Sequence, residues 1–290
     1  MRYRSSEEDS ARWRGFPFRA GDIVISTRSK SGTTWMQMIC ALLVFRTPEL
    51  PAPLPALSPW LDWLVTPEQE VYDRLAAQQH RRFIKTHTPL DGVPLHDRVH
   101  YIVVARHPLD MAVSLYHQGA NIDRDRLSAL TGVPQATGPA PERPSPHSWL
   151  VKWIDGDHDP RTELDSLPGV LWHLSDAWRR RAAPNVLLVH YDDLLTDLAG
   201  QMRHLAAWLG ITVPEDRWPA LVQAATFGAM RQRAPELVPG GNGVLKSDRA
   251  FFHAGRSGAG REMLDAAEFD RYQRRVTELA EPGLPAWLHR

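Results

Sequence analysis

The single cysteine among 290 residues, Cys40, has no partner within the chain, so no internal disulfide staples the fold; this suits a reducing compartment. An excess of charge is missing too. Thirty-four Lys plus Arg are balanced by thirty-four Asp plus Glu. A formal net charge of zero removes the whole-molecule field that would gather nucleic acid or an anionic membrane, so any anion site must be local. Long hydrophobic runs are also absent. The longest uncharged apolar stretch, Met38 to Phe45, falls far short of the roughly 18 to 20 residues that span a bilayer. The opening MRYRSSEEDSARWRG lacks the apolar core of a secretory signal. These features lead us to expect a cytoplasmic protein with neither a membrane span nor a nucleic-acid partner. With 43% hydrophobic and 23% charged residues, the chain can bury one large core, and a disordered or disulfide-built protein is excluded.

Three apolar, β-rich runs stand out, Ile23 to Ile25, Val99 to Ala105 and Val186 to Val189, with a shorter fourth at Phe83 to Lys85. Their near-continuous apolar character, without alternation, indicates burial on both faces. The expected fold is therefore an α/β three-layer sandwich with a mainly parallel central sheet. Helical patterns follow: one from Gly32 through Leu43, one from His107-Pro108, and others over Gly169–Arg181, Leu198–Leu209, Trp218–Met230 and Asp265–Leu279. Gly119–Ser148 is rich in Pro and Gly, and Pro235–Gly260 is rich in Gly with scattered cations. Both read as lid loops of a single domain spanning residues 1–290.

Between the first run and its helix lies STRSKSGTTW. A strand, a loop with Lys30 and Gly32, and a helix start bearing Thr33 and Thr34 form a phosphate cradle: backbone N–H groups face the anion and Lys30 supplies a point charge. An ordinary βα turn with a solvated lysine is the plainer alternative. An NTPase loop needs GxxxxGK[ST], with lysine after the last glycine, and here Lys30 precedes Gly32, which disfavours a Walker-type enzyme. Downstream, Arg106 closes a strand and Ser114 lies two turns into the next helix; a guanidinium and a hydroxyl suit a phosphate monoester, although alone they are equally a surface arginine and a helix serine. In RRFIKTHTPL, Lys85 and His87 leave one strand end on the same face, a cation beside a base that titrates near neutrality. No carboxylate cluster argues for a bound metal.

Taken together, these segments resemble the sulfotransferases that use 3′-phosphoadenosine 5′-phosphosulfate (PAPS). KSGTTW resembles their 5′-phosphosulfate loop, Arg106-x-Pro-x-Asp-x-x-x-Ser114 their 3′-phosphate motif, KTH their catalytic segment and VLLVHYDDL their strand ending in YEDL. The resemblance covers roughly Asp22 to Gly260. It implies a P-loop-kinase-like fold and transfer of a sulfuryl group from PAPS to a hydroxyl or amine of a small-molecule acceptor, whether phenol, alcohol, glycolipid or natural product. It also implies roles. His87 is the general base, and Lys85 and Lys30 steady the sulfuryl oxygens and the leaving 5′-phosphate. Lys30, Ser31, Gly32, Thr33 and Thr34 form the phosphate loop, and Arg106 and Ser114 hold the 3′-phosphate. Trp35 and Tyr191 serve the adenine, Phe227 and Met230 match the next adenine-side segment more loosely, and Arg256, Ser257 and Gly258 lie in the final motif. Trp60, Trp63, Trp149 and Trp153 are candidate acceptor walls or plain core.

Three departures qualify the match. Arg28-Ser29 replaces the family's Tyr-Pro, altering the rigidity of the loop. Ala225 replaces a serine or threonine that serves the base. The final motif reads His253-Ala254-Gly255-Arg256-Ser257-Gly258 where the family has paired cations before the first glycine; Arg256, Arg249 or Lys246 are the substitutes at hand. The family's C-terminal dimer motif is not legible after Arg261, which leaves the oligomeric state open. Two other readings are a catalytically inactive adenine-nucleotide binder and a small-molecule kinase with a variant phosphate loop.

Overall fold

The four apolar runs become four strands in the computed structural model, which describes residues 1–132, 142–238 and 243–290. They are β1 (Ile23–Ser26), β2 (Phe83–Thr86), β3 (His100–Ala105) and β4 (Val186–His190), all paired in parallel in the order β2-β1-β3-β4. Successive residues of a strand face opposite ways, and here both ways are apolar. Val24, Ile84, Tyr101 and Val103 enter a core shared with helices Pro108–Asn121, Leu167–Arg179 and Ala266–Leu279. Ile23, Ile25, Phe83, Ile102 and Val104 enter a second core with helices Thr33–Phe45, Leu198–Trp208 and Trp218–Ala224. The result is the three-layer α/β sandwich read from the sequence.

Two readings need correction. The helix expected over Trp218–Met230 is broken: Trp218–Ala224 ends, and a new helix, Phe227–Gln232, starts with Thr226 as its N-cap, the Thr226 hydroxyl accepting from the Ala229 N–H. A threonine side chain that binds nearby backbone competes with continuation of the helix, and the apolar spacing alone does not register it.

The expected lid loops also carry structure. Segment 119–148 holds the end of the Pro108–Asn121 helix, a helix at Arg124–Thr131 capped by Asp123 and closed by Gly132 at φ +70°, and the Ser145-capped start of helix Pro146–Asp155. Segment 235–260 contains the short helix Asp248–Phe251 and the start of Ala259–Glu262, and its Leu245 bridges to Ile122. Asp, Ser, Pro and Gly are helix-boundary residues as much as loop residues, so composition concealed these turns. The parts of both segments at 133–141 and 239–242 lie outside the described residues.

The second segment is fastened to helix Pro108–Asn121 by Asp110, whose carboxylate accepts from the N–H groups of Gly258 at 2.8 Å and Gly260 at 2.9 Å. Close approach requires glycine at 260, because a Cβ there would lie 2.5 Å from the Leu109 backbone. Gly260→Ala is accordingly expected to cost about 1–3 kcal/mol of stability, read by urea denaturation of the pure protein.

Candidate active site

Parallel strands deliver their carboxyl ends to one edge of the sheet, and the loops leaving β1, β2 and β3 there meet around a cavity of about 1080 Å³. The β1 loop ends at Gly32, the N-cap of helix Thr33–Phe45, which takes φ +104°. Glycine brings no capping side chain to the helix's first N–H groups, and a Cβ there would stand 3.0 Å from the Tyr191 ring. Lys30 adopts a left-handed φ of +62°, uncommon for a residue with a side chain, and its carbonyl is held by Arg106 Nη1 at 3.1 Å.

Among the cations that line this cavity are Lys30, Lys85 and Arg106. Lys85 and Arg106 are buried and Lys30 is partly buried. No carboxylate lies within ion-pair distance of any of them among the described residues, although Asp and Glu pair with Arg elsewhere in the molecule. Lys30 Nζ donates to the Phe251 carbonyl at 3.0 Å and to Gln118 Oε1 at 3.4 Å and sits 3.8 Å over the Phe251 ring; Lys85 Nζ sits 3.8 Å over Trp60. Arg106 Nη2 donates to the Arg256 carbonyl at 3.0 Å, while its Nε has no partner. Burial and mutual repulsion lower Lys30 to about 7, and burial lowers Lys85 to about 8 despite the opposing pull of Glu8 and Asp62. Gathering cations without counter-charge is costly, and an anionic ligand is what offsets the cost.

Beside Lys85, His87 is 4% exposed and lines the same cavity. Its Nδ1 donates to the Thr27 carbonyl, which leaves the lone pair on Nε2. Burial, then the Lys85 and Arg28 charges, hold its pKa well below the usual histidine value. The ring is therefore neutral at neutral pH and able to accept a proton. Trp60 meets it edge-on at 4.5 Å and stacks on Trp63 at 4.9 Å, forming an aromatic wall.

At the other end, Trp35 and Tyr191 meet edge to face at 5.2 Å, and the Arg106 guanidinium covers Tyr191 at 4.5 Å. Trp35 Nε1 donates to the carbonyl of Ala225 at 2.8 Å, so this position acts through its backbone. Gly255, at φ +63°, lies under the Phe227 ring, where a Cβ would approach to 2.6 Å.

Thus Lys30, Gly32, Thr33, Thr34, Trp35, Lys85, His87, Arg106, Ser114, Tyr191, Phe227 and Arg256 share the cavity, together with Met230, Trp60, Trp63 and Trp149. Other expected residues stand apart. Ser31 is buried outside the lining, and Ser257 donates its hydroxyl to Asp192. Gly258 serves Asp110, Lys246 Nζ donates to the Ala120 carbonyl, and Trp153 Nε1 to the Asp165 carbonyl. Arg249 is not part of the wall either.

Some lining residues went unrecognised. Asp165 and Glu7 belong to segments with no motif, and Gln118 sits in a helix otherwise read for Ser114. Arg28, read only for loop rigidity, is 2% exposed; it donates to the His87 carbonyl and, at 2.7 Å, to Asp165 Oδ1, tying the β1 loop to His87 and to the cavity rim.

A family model described as the sulfotransferase domain matches residues 20–281. The chain belongs to the sulfotransferase family. It is 44% identical over 307 residues to a glycolipid sulfotransferase of Mycobacterium tuberculosis, covering 99% of this chain and 93% of that protein. Among solved structures, a mouse sulfotransferase complexed with PAP (3′-phosphoadenosine 5′-phosphate) superposes with a TM-score of 0.69 at 18% identity, covering 97% of this chain and 92% of that one. A retinol dehydratase in complex with androsterone and PAP gives 0.68 at 21% identity over 93% of this chain and 83% of that one. The structural likenesses establish the P-loop-kinase-like fold, and the family places this chain among transferase enzymes.

Proposed function

We propose that this sulfotransferase binds PAPS across its cavity and passes the sulfuryl group to a hydroxyl of a small-molecule acceptor, with a glycolipid as the first candidate. The observation that carries this reading is the convergence of Lys30, Lys85 and Arg106, none with a carboxylate at ion-pair distance among the described residues, on the cavity that holds His87. Two anionic ends joined by an adenosine suit that spacing of cations and rings. The protein named as a glycolipid sulfotransferase, nearly half identical along almost the full length, supports the acceptor class.

PAPS supplies an activated sulfuryl group on its 5′-phosphate. The N–H groups after Gly32, with Thr33 and Thr34, bind that phosphate, and Lys30 neutralises it. Arg106 and Ser114 take the 3′-phosphate, and Trp35, Tyr191 and Phe227 enclose the base. Lys85 steadies the transferring oxygens, and His87 Nε2 accepts the acceptor's proton. Trp60, Trp63 and Trp149 form the acceptor wall. We read residues 1–290 as one catalytic unit working in the cytoplasm, a setting suited to the lone buried Cys40.

The experiment is turnover of PAPS against phenols, simple alcohols and glycolipids, with products detected by the mass gain of one SO₃. Sulfated glycolipid is expected; turnover of phenols alone would overturn the acceptor class, and no turnover of any acceptor would overturn the reaction.

The pH dependence follows from the lysines. PAPS must meet protonated Lys30 and Lys85, whose values of about 7 and about 8 fall in the working range. As pH rises through these values the cations are lost, so kcat/KM for PAPS falls. In the complex the bound anion raises both, and the alkaline limb of kcat lies higher than that of kcat/KM. Steady-state rates from about pH 6 to about pH 9 check this; coincident limbs would contradict it.

A further inference from the structure

The final motif departs most from the family, with His253-Ala254 ahead of Gly255 in place of paired cations. In the structure His253 lines the cavity, and its ring lies on that of His117 with centroids 3.9 Å apart and planes inclined by 16°. The two rings come from different elements. His117 stands one turn beyond Ser114 on the same face of helix Pro108–Asn121. His253 lies between Phe251, whose carbonyl accepts from Lys30, and Arg256, whose carbonyl accepts from Arg106. The pair therefore sits beside the cations assigned above to the two phosphates, and His253 has the exposure needed to meet a ligand.

The charged groups facing His253 are His117, Lys30, Arg106 and Arg231; Arg143 faces His117, which Tyr116 contacts edge-on at 5.4 Å. All the charges are cationic. Burial, and then these charges, lower both imidazoles from the usual histidine value. A phosphate dianion arriving among them reverses the local field, and an imidazole can answer by gaining charge near neutrality, as Lys30 can. Parallel stacking also favours one neutral and one charged ring over two charged ones.

We propose that His253 is a ligand of the 3′-phosphate that binds as an imidazolium, positioned by stacking on His117, so that nucleotide entry takes up a proton from solvent and nucleotide departure returns it. This rests on the PAPS reading of the cavity. The sign is fixed by linkage: a histidine whose pKa rises on binding adds affinity that is fully present below its free value and is lost as pH rises through its bound value. Affinity for PAP thus falls with rising pH in the histidine range, below the range set by the lysines.

The test is calorimetric titration of the full chain with PAP near pH ~6.5, in buffers of different ionisation enthalpy, compared with adenosine 5′-phosphate. Wild type is expected to take up about half to one proton more than His253→Ala, which binds PAP about tenfold more weakly near pH ~6.5 and nearly normally near pH ~8.5. His253→Arg should bind PAP tightly without the extra uptake, and His117→Phe, which keeps a stacking ring, should retain it. Adenosine 5′-phosphate should show no difference among these proteins. Unchanged uptake in His253→Ala, or an equal loss for both nucleotides, would overturn the proposal while PAP binding itself stands. Absence of PAP binding at every pH would overturn the PAPS reading and this proposal together.

Discussion

Replacing His87 by alanine should lower sulfuryl transfer about 10²- to 10⁴-fold, the usual contribution of a positioned base, while leaving the Kd for PAP close to that of the wild type. The division follows from the geometry. His87 stands at the end of β2 next to Lys85 and against Trp60, and its Nδ1 is committed to the Thr27 carbonyl. In the proposed function its free nitrogen serves the acceptor side, while the rings of Trp35 and Tyr191 and the Arg106 guanidinium lie at the other end. Stopped or steady-state transfer rates with PAPS, set beside calorimetric PAP affinity, separate the two effects. Near-normal turnover in His87→Ala would remove its assigned role, and a loss of PAP affinity as large as the loss of rate would make it a structural residue.

The second large effect belongs to Arg106. Arg106→Ala removes a buried guanidinium that faces no carboxylate among the described residues, and with it charge-assisted hydrogen bonds worth about 1.5–3 kcal/mol each. PAP affinity should fall about 10- to 100-fold by the same bookkeeping. Adenosine 5′-phosphate, which lacks the 3′-phosphate, should lose less. Equal losses would mean that Arg106 acts mainly through the Lys30 and Arg256 carbonyls it already holds. In that case it organises the loops and does not contact the ligand.

Much of this was legible in the sequence because it is written locally. Strands buried on both faces cannot alternate, so Ile23 to Ile25 and Val99 to Ala105 declared a parallel sheet, and a parallel sheet brings KSGTTW, KTH and the Arg106 motif to one edge whatever lies between them. What escaped notice depends on distance through space. Arg28 could not be recognised as a brace, because its partners, His87 and Asp165, are 59 and 137 residues away. Asp165 and Glu7 enter the cavity wall from segments whose composition is unremarked. Thr226 broke a helix that its apolar neighbours promised, and in doing so placed Phe227 over Gly255. Gly258 was read with the ligand-binding residues of the final motif; its N–H, like that of Gly260, goes to Asp110 and fastens the loop. A motif records which residues recur and not which of them touch the ligand.

In the proposed function this cavity is built for an adenine nucleotide phosphorylated at both its 3′ and 5′ ends. Equilibrium titration of the full chain with PAP, repeated in the presence of excess ATP and Mg²⁺, addresses it most directly. Saturable PAP binding that ATP does not displace is expected, because ATP brings nothing to Arg106 and Ser114. Displacement of PAP by ATP at comparable concentration would contradict it and return the chain to the kinases.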